Sequence, residues 1–114
     1  MATTYTPVRK KNAGVIAKEA ALDVNSTSSV TGKVDTVGVA SVTLQVVGVT
    51  GTHGTHVVKL QGSVDGTTFV DTASTVTGAG TVTLSGPVYP WHRAKVTTAE
   101  GSAATADVYI FTKL

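Results

Sequence analysis

The sequence predicts an all-β protein: an antiparallel two-sheet β-sandwich, jelly-roll-like, with about eight short strands and an extended N-terminal arm. Three observations lead to this fold class. Valine occurs 20 times and threonine 21 times among 114 residues, and both β-branched side chains suit a pleated sheet. Apolar and polar residues alternate along most of the chain. Glycine-containing turns separate these alternating segments at a spacing typical of sandwiches.

Two parts of the chain are distinguished: an extended arm over residues 1–13 and a single β-sandwich domain over residues 14–114. The arm contains Pro7 and the basic run Arg9-Lys10-Lys11 but no alternation long enough for a core strand. Such a segment is either a frayed terminus or a stretch that becomes ordered on a partner surface. A length of 114 residues supports one small domain rather than two.

The strands are predicted from alternation between turn signals. The first segment is ambiguous, because residues 17–22 also have the best helix propensity in the chain. A strand is favoured there, with Ile16, Ala20, Leu22 and Val24 on one face. Asp65-Gly66 is a hairpin signal, since glycine readily takes the positive φ that such a turn needs. The predicted strands cover residues 15–24, 29–37, 41–49, 56–63, 67–72, 81–85, 91–97 and 105–114.

Composition excludes several classes of protein and partner. There is no cysteine, so disulfides and thiolate metal sites are ruled out. No apolar stretch approaches the roughly 18 residues of a membrane helix, and the first residues resemble no secretory signal. The net charge is only +2, and the basic residues cluster only at Arg9-Lys10-Lys11. The sequence therefore predicts neither a membrane nor a nucleic-acid partner. The absence of cysteine fits synthesis in a cytoplasm without requiring it.

Catalytic, cofactor and metal sites are not predicted. His53 and His56 have a spacing at which two imidazoles can share an ion, with His92 as a third candidate. A zinc site needs at least three well-placed ligands with supporting partners, and no such motif accompanies them. The stretch 63–67 loosely resembles a calcium loop, but no closing glutamate follows and the turn explains it. No nucleophile elbow, phosphate loop or pair of strand-end glutamates is present, so we expect no enzyme.

Two groups of aromatic residues are candidate partner contacts. Tyr89, Trp91 and Arg93 are of the types enriched at the centres of interfaces, although Trp91 is also a natural core residue. In the last strand, Val108 and Ile110 face one way and Tyr109 and Phe111 the other. Two apolar faces indicate that the second is covered, by the arm, by another subunit or by the sandwich itself. The full set of candidate contacts is Tyr5, Arg9, Lys10, Lys11, Tyr89, Trp91, Arg93, Tyr109 and Phe111.

Three stretches carry a resemblance to a known group of proteins. They are residues 40–46, residues 57–69 with the sequence VVKLQGSVDGTTF, and residues 91–96 with the sequence WHRAKV. A strand ending in a G-S-x-D-G-T-T-W/F hairpin, followed by a strand with an R-x-K/R-V core, resembles the small β-sandwich virion proteins of tailed bacteriophages. The resemblance covers residues 28–114 and leaves the arm outside.

The resemblance implies a non-enzymatic capsid decoration, or cement, protein. Such a protein binds the major capsid protein on the outer capsid surface of the virion and stabilises contacts between neighbouring capsomers. The resemblance also implies assembly with copies of itself, as a homotrimer, and synthesis in the bacterial host cytoplasm. Two alternatives stay open: a tail, baseplate or head-fibre module that binds a host-surface glycan through Trp91 and Tyr89, and a non-viral carbohydrate-binding module.

Overall fold

Eight strands form two antiparallel four-stranded sheets in the computed structural model, which describes residues 16–86 and 89–114. The strands are β1 (Ile16–Asp23), β2 (Val34–Asp35), β3 (Ser41–Thr50), β4 (Val57–Ser63), β5 (Val70–Thr77), β6 (Gly80–Ser85), β7 (Trp91–Thr98) and β8 (Thr105–Lys113). Sheet A has the order β1-β8-β3-β6, and sheet B has the order β2-β7-β4-β5. Within the described residues there is no helix capable of crossing a membrane.

The connections follow a jelly-roll path. Successive strands alternate between the two sheets, except that β4 and β5 are neighbours in sheet B. Each sheet thereby interleaves strands from the two ends of the chain, as in a double-sheet jelly roll. The predicted all-β sandwich is confirmed, including its jelly-roll character.

The core lies between the inward faces of the two sheets. In β7, His92, Ala94 and Val96 are fully buried and alternate with half-buried residues. In β8, Val108 and Ile110 face inward in the same way, each at most 2% exposed. Period-two alternation therefore sets which side chains pack, as expected for strands with one buried face. The largest apolar side chains in this core include Leu22, Leu44, Leu60, Val42, Val46 and Val58.

Strand β1 is a strand, as predicted, but its buried face differs from the predicted one. Ala17 and Glu19 point inward, while Ile16 and Ala20 point outward. The pairing with β8 is regular as far as Glu19 and resumes at Leu22 with one extra residue. Ala21 has a φ of 51°, and this bulge reverses the alternation so that Leu22 is buried again. A bulge of this kind leaves no clear signal in the alternation pattern.

The predicted strand over residues 29–37 is mostly irregular. Only an isolated bridge from Val30 to Lys95 and the two-residue β2 pair with β7. Thr31 replaces part of the ladder, because its amide donates to Ala94 O at 2.9 Å and its Oγ1 accepts from Ala94 N at 3.0 Å. The segment therefore follows the edge of sheet B without forming a continuous strand.

Strand β5 begins later than predicted, at Val70. Asp65 Oδ1 accepts hydrogen bonds from the amides of Thr67 at 2.8 Å and Thr68 at 2.9 Å, which keeps both residues in the hairpin loop. Further along, β5 carries extra residues opposite β4, and Thr72 Oγ1 donates to Leu60 O at 2.7 Å. That hydroxyl satisfies a carbonyl group which an uninterrupted ladder would have bonded.

Candidate interaction surfaces

The outer face of sheet B carries a group of cations and two aromatic rings, which we call the basic face. Trp91, Arg93 and Lys95 alternate outward along β7, and Lys59 lies opposite Lys95 on β4. Two carboxylates share this side: Asp71 on β5, and Asp35, which pairs with Trp91 and accepts from the amide of Val37 at 3.0 Å. The basic face comprises Lys33, Lys59, Phe69, Trp91, Arg93 and Lys95.

Arg93 is held in a fixed orientation on this face. Its Nε donates to Gln61 Oε1 at 2.8 Å, and its guanidinium carbon lies 4.2 Å from the centre of the Phe69 ring. Gln61 is fixed in turn, because its Nε2 donates to Asp71 Oδ1 at 2.8 Å. Partial burial lowers the pKa of Arg93, which nevertheless stays protonated at neutral pH. Neither contact uses a hydrogen bond of the two terminal Nη groups.

Trp91 is covered on one face by a cation. Lys33 Nζ lies 5.0 Å from the centre of the ring and also donates to Gly66 O at 2.9 Å. Gly66 belongs to the hairpin organised by Asp65, whose pKa is lowered to about 2 by hydrogen bonds from Thr68, Thr67 and Ser63. The predicted turn at Asp65-Gly66 is therefore real, and it holds Lys33 over the indole.

Tyr89 does not share a face with Trp91. Its ring packs so closely on Gly62 that an added Cβ there would lie 2.0 Å from Tyr89 Cδ2. It also meets the His92 ring edge-on at 6.0 Å between centroids. Gly62 and His92 are paired on the inward side of sheet B, whereas Trp91 points outward. The structure thus brings Trp91 and Arg93 together and separates Tyr89 from them.

Tyr109 and Phe111 lie half-buried on the outer face of sheet A. Phe111 pairs with Ile16 across to β1, and with Thr43 these residues line a groove of about 450 Å³. Lys18 Nζ lies 5.6 Å from the centre of the Tyr109 ring. The two apolar faces predicted for β8 are both present: one packs in the core and the other forms this stripe.

The remaining predicted contacts, Tyr5, Arg9, Lys10 and Lys11, lie outside the described residues, as does the whole predicted arm over residues 1–13. Nothing in the structure bears on them. Arg93 was predicted as a partner contact, but its grouping with Lys33 and Lys59 was not, because the sequence shows basic residues clustered only in the arm. Lys33, Lys59 and Arg93 are far apart in the chain, and only the strand order brings them together.

The histidines do not converge on one site. His53 Nε2 donates to Thr50 O at 2.8 Å, so a neutral His53 accepts at Nδ1 from His56 Nε2, 2.9 Å away. His92 lies elsewhere in the core, where its Nδ1 contacts Thr36 Oγ1 at 2.7 Å. Across residues 16–86 and 89–114, no group of three or more histidine or acidic side chains is placed to hold a metal ion.

Glu100 closes the loop that contains these two histidines. Its carboxylate accepts from the amides of Gly54 at 3.1 Å, Thr55 at 3.2 Å and His56 at 3.1 Å. Desolvation raises the pKa of Glu100, but these hydrogen bonds outweigh it and bring the pKa to about 2. Burial lowers the pKa of His56, and repulsion from His53 lowers it further, against the attraction of Glu100. The cluster therefore has a structural explanation as a loop clamp.

We expect Glu100→Gln to loosen this loop. The amide keeps the size of the side chain but replaces a charged acceptor with a weaker neutral one. Amide hydrogen exchange at Gly54, Thr55 and His56 should accelerate about tenfold, while exchange in β3 stays unchanged. Asp23→Asn is the control, because it weakens a carboxylate bond to a single amide, that of Asn25. Equal protection in Glu100→Gln and the parent would show that the charge of Glu100 does not hold the loop.

Comparison with known proteins finds likeness in structure and not in sequence. No protein-family model matches the chain, and no curated protein matches it either. Among solved structures, the chain is similar to the PBSX exported protein XepA, with a TM-score of 0.61 and 13% identity over 95% of this chain. It spans only 39% of XepA. It is also similar to the SPBc2 prophage-derived protein YomS, with a TM-score of 0.54 and 9% identity, over 87% of this chain and 96% of that one. At these identities, the likeness shows a shared fold, and at least one protein with that fold is prophage-derived.

Proposed function

We propose that this protein is a non-enzymatic structural protein of a tailed-bacteriophage virion, and specifically a capsid decoration protein. It would bind the major capsid protein on the outer capsid surface and stabilise contacts between neighbouring capsomers. The observation that carries the proposal is the fold shared with the prophage-derived YomS over 96% of that chain. The sequence resemblance to phage virion proteins supports it, since its motifs fall on β3, β4 and β7 of this fold.

The described surfaces suit a protein that works by contact. The basic face offers a cationic, partly aromatic surface on sheet B, and the Tyr109–Phe111 stripe offers an apolar one on sheet A. In this proposal the stripe joins copies of the chain, as a homotrimer, and the basic face and the arm reach the capsid protein. Many modest contacts on a repeating lattice then add up through multivalency.

Glycan binding through Trp91 and Tyr89 receives less support from the geometry. A sugar stacks on an open aromatic face, whereas Lys33 already lies over the Trp91 ring. Tyr89 packs against Gly62 on the other side of the sheet. The two rings offer no common platform, so capsid decoration is the function that we propose.

Co-sedimentation with phage capsids that lack this protein tests the proposal. We expect saturable, stoichiometric binding of the full chain. Replacing Arg9, Lys10 and Lys11 together with alanine should weaken it severalfold, if each lost charge contributes a modest contact to a multivalent lattice. Lys113→Ala, an exposed charge at the end of β8, is the matched control. Absence of binding by the full chain would refute the decoration role, and a screen against host-surface glycans would follow.

A further inference from the structure

The cations of the described chain are concentrated on one face. Of the six lysine and arginine side chains within residues 16–86 and 89–114, four belong to the basic face: Lys33, Lys59, Arg93 and Lys95. Three of these have internal partners, since Lys33 lies over Trp91, Lys59 is 3.8 Å from Asp71, and Arg93 bonds Gln61. These contacts fix the positions of the charges in advance of binding.

The acidic side chains do not neutralise the Arg93 end of this face. Asp71, the nearest carboxylate, accepts from Gln61 and pairs with Lys59 instead of Arg93. Most of the others accept hydrogen bonds from backbone amides, within the same turn for Asp23, Asp35 and Asp65. Glu100 and Asp107 bond amides of segments distant in the chain. Asp23, Asp35, Asp65, Glu100 and Asp107 accept from the amides of Asn25, Val37, Thr67, Thr55 and Ala21 respectively.

The Arg93 guanidinium is organised as a fork with its outer edge open. Its Nε donates to Gln61 Oε1, and its carbon lies over the Phe69 ring. In the described part of the chain, the Nη groups have no hydrogen-bond partner. A guanidinium in this state matches the planar geometry of a carboxylate and can bond it through two parallel N–H groups. Little side-chain entropy is then lost on binding, because the stacking has already restricted the rotamers.

We propose that Arg93, flanked by Lys59 and Lys95, is the docking site for a carboxylate side chain on the surface of a partner protein. The inference rests on the proposed function only in identifying that partner as the capsid protein; the carboxylate chemistry comes from the face itself. A single fork flanked by two lysines fits one or two carboxylates. It fits a single-stranded nucleic acid poorly. Bases would stack on the two aromatic rings, and Lys33 and Arg93 already occupy one face of each ring.

Titration with a short glutamate-rich peptide tests the proposal at an ionic strength of about 0.01 M, where charges are screened over about 30 Å. Trp91 is the only tryptophan of the chain and lies two residues from Arg93, so its fluorescence reports binding. The same peptide with glutamine in place of glutamate is the ligand control. A sulfated glycan and single-stranded DNA of matched charge are the competing ligand classes.

We expect Arg93→Ala to weaken binding of the glutamate peptide about tenfold or more. Arg93→Lys should recover little of this, because an ammonium cannot form the fork. Gln61→Met leaves the net charge unchanged and should still weaken binding severalfold. It removes the acceptor of the Arg93 Nε hydrogen bond, so the guanidinium is no longer held in one orientation. Lys113→Ala removes one charge from β8 in the other sheet and should change affinity less than twofold. Melting curves confirm that each variant is folded.

Three results of the titration would overturn the inference. The first is equal affinity of Arg93→Ala and Lys113→Ala for the glutamate peptide, and the second is no binding of that peptide by the parent. The third is tighter binding of the sulfated glycan or the DNA through Arg93. Co-sedimentation with capsids separates failure of the site from failure of the proposed function. Capsid binding that does not depend on Arg93 refutes the site and leaves the proposed function standing. Peptide binding through Arg93 without capsid binding refutes the proposed function and leaves the site standing.

Discussion

Alanine in place of Gly51 is expected to lower the free energy of unfolding by about 3 kcal/mol or more. Gly51 has a φ of 79°, a conformation that a residue with a Cβ adopts only under strain. The added Cβ would also lie 2.3 Å from Ala103 O and 2.9 Å from Ala104 Cα. Both are backbone atoms of the segment that leads into β8, so relief requires the chain itself to shift. Chemical denaturation of the variant and the parent measures the loss.

Gly38→Ala is the matched control for this substitution. Gly38 has the same φ of 79°, but nothing lies within 4 Å of the position that an added methyl group would take. Its cost should therefore be that of the left-handed backbone alone, about 1–2 kcal/mol. The difference between the two variants isolates the steric clash at Gly51. Equal losses would show that the β3–β4 connection can move away from the segment before β8 at no cost.

Acidification from pH 6.5 to pH 4 is expected to remove stability on the order of 2–3 kcal/mol through His92. His92 is fully buried, and burial lowers its pKa from 6.5 to about 4. Thr36 Oγ1 donates to Tyr89 O and so accepts from His92 Nδ1, which leaves Nε2 as the basic nitrogen. Among the described residues, Nε2 has no hydrogen-bond partner to receive a proton's charge. Urea unfolding across this pH range measures the effect.

The direction of this pH dependence follows from the unfolded chain, which takes up the proton at the ordinary pKa of 6.5. Between pH 6.5 and about 4 the unfolded state binds the proton and the native state does not, so stability is full above 6.5 and falls with acidification. His56 acts in the same sense, because its pKa is also lowered. His92→Gln should start from a lower stability but lose less on acidification. Identical slopes in variant and parent would refute the assignment to His92.

Much of the architecture could be predicted because it depends on local alternation. Strands β7 and β8 keep unbroken period-two patterns, and β3 and β4 keep them over part of their length. The structure places all four within one or two residues of the predicted bounds. The failures occur where the backbone departs from that period. Ala21, in its left-handed conformation, reverses the face of β1, and Thr31 takes the place of part of a predicted strand with side-chain bonds.

The candidate surfaces were harder to predict, for a different reason. Both residues of the Tyr109–Phe111 stripe belong to one strand, β8, so the alternation along the sequence was enough to predict it. The Arg93 site joins Gln61 on β4, Phe69 in the hairpin and Asp71 on β5. Those contacts depend on the order β7-β4-β5 in sheet B, which a single sequence does not contain. Tyr89 and Trp91 were grouped because residues two apart in a strand share a face. That rule holds only within a strand, and Tyr89 lies before β7, which begins at Trp91.

The irregular strands of this sandwich have a consequence for its solubility at high local concentration. Of the four outermost strands, β1 contains a bulge, β2 has only two residues and β5 breaks its register against β4. An outer strand with a long row of open N–H and C=O groups recruits further strands from other molecules and starts aggregation. These three interrupted borders present no such row, and the fourth outer strand, β6, pairs regularly with β3 but has only six residues. We therefore expect crowded copies of this protein to associate through side chains and not by extending the sheets.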